Sequence, residues 1–360
     1  MNAMTRRLAV GTVTVSIALT MAACGKAGDS GSSSNNAKSI GLLLPENATT
    51  RYEKFDRPLI EAKIKELCSD CTVSYDNAAG DPQKQAQQVS SMIAKKVKVL
   101  IVDAADSVGI KSSVQAAVDA GIKVVAYDRL AEGPVSAYVS YDNEKIGELQ
   151  GQSLLDAMGA SATPTSKIVM IDGDPADPNA ALFKSGAHSV LDGKVDIAYE
   201  QSGLWQDTVA NQKVTAAITQ LGASNIKGVY SANDGMAGGI ATALKGAGIN
   251  PPLTGQDAEL AGVQRILAGT QTSTIYKAYK PEADATAEIA VDLLNGTSFT
   301  SVADTTAKSG SGQTVPAKLL PATTVTKANI NDTVIKDGLY TVAEVCTADY
   351  ASACAAAGIK

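Results

Sequence analysis

Residues 122–151 read IKVVAYDRLAEGPVSAYVSYDNEKIGELQG. Two short runs within it, 122–127 and 137–141, have the β-branched and aromatic content of buried strands. The first stops at Asp128-Arg129 and the second at Asp142-Asn143. In an open α/β sheet the strand ends border a crevice, and polar side chains placed there meet a ligand. An acceptor beside a planar five-donor guanidinium suits a ligand rich in hydroxyls, each of which donates and accepts. From Glu144 to about Met158 the chain reads as a helix.

The rest of the chain repeats this plan. A strand at 39–44 is followed by the loop PENATTRYEK and a helix to about Leu67, then a strand at 72–75. Asp81-Pro82 is a helix-start signal, an N-cap before an N1 proline. Its helix runs to Lys96 with Ala86, Val89 and Ile93 on one face. A strand at 97–102 ends in DAAD (103–106), and 107–120 reads as a helix stopped by Gly121. A second series follows. Strands at 167–171, 196–199, 226–230 and 253–254 run into DGDPADPN, QSGLWQD, SANDG and GQDAELAG, each followed by a helix, and a strand at 272–276 ends at Lys277. Alternation of this length predicts an α/β fold of mainly parallel sheets with right-handed crossovers, and two series predict two similar lobes. Nearly every strand end carries a short polar loop, which fits a ligand held between two facing crevices.

Composition narrows the function. The chain has 360 residues, 45% of them apolar but only 4% aromatic, which argues against a nucleic-acid surface built on stacking rings. The formal charge of −6 falls to −8 without residues 1–23, which hold Arg6 and Arg7 and no acid, so nucleic acid is not an expected partner. Arg6 and Arg7 precede an apolar run, 8–23, that is short for a spanning helix and ends in small residues. Met21-Ala22-Ala23-Cys24 resembles the lipobox of bacterial lipoproteins, whose cysteine is diacylated and becomes the new N-terminus; Met21 stands where leucine is usual. Residues 25–38 are a Gly, Ser, Asn and Ala tether. The expectation is an exported protein held to the outer face of the cell membrane through Cys24. Export places Cys68, Cys71, Cys346 and Cys354 in an oxidising compartment, where three pairings are possible. The short-range one, Cys68 with Cys71 and Cys346 with Cys354, is favoured. A metal site is not expected, because there is no second C-x-x-C and the sole histidine, His188, lies far off in sequence.

At its motifs the chain resembles the type I periplasmic binding proteins, the sugar-capturing subunits of ABC importers. The matching residues are YDR at 127–129, SYDNEKIGELQ at 140–150, Asp177-Pro178-Asn179-Ala180, AND at 232–234, GQDAELAG at 255–262, GTQTSTIYK at 269–277 and NINDTVIKDG at 329–338. The resemblance implies two Rossmann-like lobes joined by three hinge strands and closing on a monosaccharide, with D-xylose favoured over glucose, arabinose or galactose, and an ABC permease as partner. It implies a sugar site of Arg51, Tyr52, Asp128 and Arg129 from one lobe, with Asn179, Trp205, Asn233, Asp257 and Lys277 from the other lobe and hinge. Asp106 is added from the third-strand loop, where Ala104-Ala105-Asp106 departs from the bulkier, less acidic residues of the family. The expected partition is a signal peptide at 1–23, a tether at 24–38, a first lobe of 39–141 with about 279–310, a second of 142–278 with about 311–345, and a tail at 346–360. A monomer without cofactor is expected.

The chemistry holds without the family. A neutral sugar offers paired hydroxyls and a face of C–H groups; carboxylates accept from the first, Arg, Lys and Asn donate to them, and aromatic rings cover the second. Local sequence alone leaves Asp128 and Asp257 equally readable as helix N-caps, and Lys277 as a solvated residue. Asp142-Asn143 reads as structural at the first hinge crossing, and His188 as a satisfied or surface histidine. Paired acids could also make a glycosidase. Against that, no G-x-S-x-G, H-E-x-x-H or G-x-x-x-x-G-K-[ST] occurs, and a single histidine removes most histidine-based general-base schemes. A sugar-responsive repressor would need a DNA-binding helix-turn-helix where this chain carries an export signal.

Overall fold

The computed structural model describes residues 38–359. The signal segment and Cys24 lie outside them. The described residues form one compact unit.

The first sheet forms because its strands are apolar on both faces, as a parallel sheet sandwiched by helices requires. Strand β1 (Ser39–Leu44) is buried at all six residues. A wide helical turn, Tyr52–Asp56, leads into α1 (Arg57–Leu67), where Pro58 lacks the N–H of an ordinary continuation. Next come β2 (Thr72–Asn77), α2 (Pro82–Ala94), β3 (Val99–Val102), α3 (Lys111–Asp119), β4 (Lys123–Tyr127) and β5 (Ala137–Tyr141). Asp81 caps α2 as its sequence predicts, accepting from the Gln83 and Lys84 amides. Helix α3 starts later than expected because Asp106 accepts from the Val108 and Gly109 amides and holds that stretch as a turn.

At Asp142 the chain crosses to a second sheet. This second half contains α4 (Asn143–Met158), β6 (Lys167–Asp172), α5 (Pro178–Leu191), β7 (Asp196–Ser202), α6 (Asp207–Leu221), β8 (Ile226–Ser231), α7 (Asp234–Gly246), α8 (Leu260–Ala268) and β9 (Ser273–Tyr276). Strands β7, β6 and β8 are parallel neighbours, and the strand expected at 253–254 is a single bridge from Leu253 to Val229. The chain returns through α9 (Tyr279–Asn295), which packs on α1, to β10 (Thr305–Lys308) and β11 (Thr314–Leu320). Strand β11 runs parallel to β5, giving the first sheet the order β10-β11-β5-β4-β3-β1-β2. The expected return to the second lobe near residue 311 therefore comes too early. Val315 and Ala317 alternate inward on the first sheet, and the crossing falls after Leu320, where β12 (Thr323–Thr326) pairs antiparallel with β9. The three crossings are tied together: the Asp142 amide donates to the Leu320 carbonyl and the Tyr141 hydroxyl to the Ala278 carbonyl.

The cysteines pair as Cys68–Cys71, closing the turn between α1 and β2, and Cys346–Cys354 in the tail. Cys354 and Ile359 are buried in the cluster around α8, so the tail belongs to the second half. His188 bonds to Asp192 and Glu200 on the flank of α5. Among the described residues no helix is long and apolar enough to cross a membrane.

Helices α4 and α5 meet backbone to backbone. A Cβ at Gly147 would lie 2.0 Å from the Phe183 carbonyl oxygen, and one at Gly186 would lie 2.0 Å from that of Glu144. Gly147→Ala is therefore expected to lower stability in urea by about 2–3 kcal/mol, at the upper end for overpacking because backbone cannot rotate aside. Gly246, with open space around it, is the control: Gly246→Ala should be neutral or slightly stabilising.

Candidate functional site

The ends of β1, β4, β6, β7, β8 and β9 converge on a cavity of about 300 Å³ between the two sheets. Its polar lining holds Arg51, Arg129 and Lys277 against Asp128, Asp177 and Asp257. Each of these cations is ion-paired with one of the carboxylates, which suits a neutral polar ligand rather than an ionic one.

Arg51, 2% exposed, is the hub. Its Nε donates to Asp56 (2.7 Å), Nη2 to Asp56 (3.2 Å) and Glu282 (2.6 Å), and Nη1 to Asp128 (3.0 Å). Of its five N–H groups one on Nη1 is left for the cavity. Burial raises Asp56 and Glu282, with Arg51 opposing. For Asp128 burial also acts upward, but Arg51, Lys277 and Arg129 outweigh it and hold the carboxyl below its usual range.

Asp128 and Asp257 cap no helix. Both take left-handed backbone, φ 53° and 87°, a conformation that is uncommon outside glycine and collects at ligand sites. The Asp128 carbonyl accepts from the Tyr138 and Ser140 hydroxyls and the Asn179 amide, which fixes the loop. Asp257 pairs with Lys277 at 2.9 Å, and Lys277 is buried rather than solvated. Asn233 caps α7 with its side-chain oxygen on the Met236 amide, leaving its amide nitrogen for the cavity. Gln256 Oε1 and Trp205 Nε1 are buried with no hydrogen-bond partner among the described residues.

Two apolar walls complete the cavity. Tyr52 stands on the first side, its hydroxyl accepting from Arg129 Nη2 at 3.0 Å. Phe183 and Trp205 stand on the other, edge to face with centroids 6.4 Å apart. The cleft is shut by the Arg129–Asp177 ion pair (3.1 Å) and by hydrogen bonds between the halves: the Asn179 side-chain amide to the Asp128 carbonyl (3.0 Å), the Ser107 amide to the Ala176 carbonyl (3.2 Å) and the Thr50 amide to Glu259 (3.3 Å).

Arg51, Tyr52, Asp128, Arg129, Asn179, Trp205, Asn233, Asp257 and Lys277 thus all line one cavity. Asp106 does not. Strand β3 ends at Val102, level with Ala126 of β4, so the acid brought beside Arg129 is Asp103, 3.6 Å from its Nε and fully buried. Asp106 lies beyond it, its carboxylate turned onto its own loop. Thr49, Asp177, Phe183 and Gln256 were not singled out from sequence as lining residues. Phe183 carries a signal that could have found it: it lies four residues after Asn179 on α5, hence on the same helix face. Asn143, next to Asp142 in the first crossing, is structural as expected, donating to Ser140 and Asn179.

Residues 40–298 match the periplasmic binding protein domain. The chain belongs to that family. It is 37% identical over 317 residues to the D-xylose-binding periplasmic protein of Escherichia coli (strain K12), covering 85% of this chain and 92% of that one. The D-xylose-binding periplasmic protein of Haemophilus influenzae is 36% identical over 312 residues, 84% and 90% of the two chains. A solute binding protein of an ABC transporter from Clostridium phytofermentans, 24% identical, superposes with a TM-score of 0.75 over 86% of this chain and all of the other. The periplasmic binding proteins of this type share its two-lobed, mainly parallel α/β fold.

Proposed function

We propose that this periplasmic binding protein captures a single monosaccharide, D-xylose, between its lobes and delivers it to an ABC permease, held to the outer face of the membrane through lipidated Cys24. One observation carries the reading: a polar cavity between the halves whose buried cations are each ion-paired, with an aromatic wall from each half. Tyr52 and the Phe183–Trp205 pair are placed to cover the two C–H faces, and the polar belt between them to hold the hydroxyls. The 37% and 36% identity to D-xylose-binding proteins supports xylose over other sugars. Closure follows from better ligand contacts in the shut state than in the open one.

Trp205 is the sole tryptophan, so its fluorescence reports the cleft without a label. Titration of the chain from Gly25 onward with xylose is expected to give a saturable change, with much weaker responses to glucose, arabinose, galactose and ribose. Comparable responses to several sugars would replace xylose with a multi-sugar reading. Silence to all, repeated by calorimetry, would remove the sugar assignment.

A further inference from the structure

Beside that cavity lies a second chamber between the halves, open to solvent, with about 610 Å³ of empty space counted out to its mouth. It shares two walls with the inner cavity, Arg129 and Trp205. Its first-half side is made by the loops after β1, β2 and β3, and four of the residues there are small: Ala48, Ala79, Gly80 and Ala105. No side chain from these four reaches into the space.

The opposite side is apolar in an unusual way. Leu204 is 39% exposed there, one of few large apolar side chains so exposed among the described residues. Leu204 and Trp205 both hold left-handed backbone, φ 54° and 57°, a conformation glycine would adopt without strain. The turn thus keeps two apolar side chains at the cleft, Trp205 facing the inner cavity and Leu204 the chamber. Around them, the Asn47 and Gln206 amides have no hydrogen-bond partner among the described residues, and Asp174 uses one oxygen on the Ala176 amide. An apolar wall, free amides and a shared guanidinium repeat, more loosely, the chemistry of the inner site.

We propose that the outer chamber is a second sugar subsite, so that the protein also takes a neutral pentose disaccharide, one ring in the inner cavity and the other against Leu204. The glycosidic oxygen then lies between Arg129 and Trp205, where a guanidinium N–H donates to it. Ala105 sets the room for the second ring. The proposal rests on the sugar reading of the inner cavity.

Calorimetry on the chain from Gly25 onward, with xylose and xylobiose as the two probes, tests it. The unmodified protein is expected to bind both. Ala105→Phe, which narrows the chamber from the wall facing Leu204, should weaken xylobiose at least tenfold and leave xylose within about threefold. Ala48→Phe, from another loop of the same wall, should do likewise, so misfolding of one variant leaves the other to decide; retained xylose binding certifies the fold of each. Binding of xylose without xylobiose overturns the subsite and leaves the inner assignment intact. Equal loss, or no loss, of both sugars in the two variants also overturns it. Failure of the unmodified protein to bind either sugar overturns the inner reading itself.

Discussion

Replacing Arg51 with methionine is expected to cost about 3–5 kcal/mol of stability, the range for stripping one partner from a buried ionic cluster. Arg51 is the shared ion-pair partner of Asp56, Asp128 and Glu282, and methionine retains much of its bulk without its charge. Three carboxylates would then share a site with far less water. Burial already raises Asp56 and Glu282 against Arg51's opposition; without Arg51, all three would rise in the folded state while keeping ordinary values in the unfolded chain. A carboxyl whose folded pKa is raised gives stability that is present below its unfolded pKa and lost as pH climbs through the folded one. The variant should therefore unfold at lower urea at pH 8 than at pH 5, with a steeper dependence than the parent. In the parent, Asp128 works the other way: held below its usual range, it contributes stability at neutral pH that disappears only in acid. Equal urea midpoints for variant and parent at pH 8 would show that the cluster is not ionised as drawn.

The two strand–helix series were legible because parallel strands buried on both faces read as continuous apolar runs, as β1 and β3 do. The strand ends were legible for the same reason, since each run stops where polar residues begin. What the sequence hid was the path of the loops. Asp128, Leu204, Trp205 and Asp257 all take positive φ, yet none is a glycine, and no local signal marks such a residue as left-handed. Asp128 and Asp257 consequently read equally well as N-caps, and only the turn geometry aims them at the cavity. Asp106 misled for a related reason: DAAD holds two acids, and strand length alone decides that Asp103 lies beside Arg129. Asp177 caps α5, accepting from the Asn179 amide. Its second role, pairing with Arg129 across the cleft, depends on how the halves meet and so lies beyond any local pattern. The late third crossing was hidden because β11, with Pro316 and Lys318 among its residues, resembles a linker until β5 is beside it.

Asp257→Asn should separate binding from folding more cleanly than any other change in the cavity. The loop that carries Asp257 is held from beneath. The Asp234 carboxylate accepts from the Glu259 amide (2.9 Å), the Thr274 hydroxyl (2.8 Å) and the Gln271 amide (2.6 Å), while the Asp257 carbonyl accepts from the Tyr279 hydroxyl. None of these uses the Asp257 side chain. Asparagine also tolerates left-handed backbone better than other replacements, and Lys277 keeps the nearby charge of Asp128. The urea midpoint is therefore expected to fall less than in the Arg51 variant, the cost being confined to the ion pair that buried Lys277 loses. Binding is another matter, because a hydroxyl donating to a carboxylate makes a charge-assisted bond that an amide oxygen cannot match, worth about 1.5–3 kcal/mol. The expected loss for xylose is thus roughly 10- to 150-fold in Kd. Asp234→Asn, by contrast, weakens the support of the loop itself and should depress stability and binding together. If Asp257→Asn lowered the urea midpoint but left the Kd unchanged, the carboxylate would be serving only Lys277, and the hydroxyl-accepting role would fall to Asp128 alone.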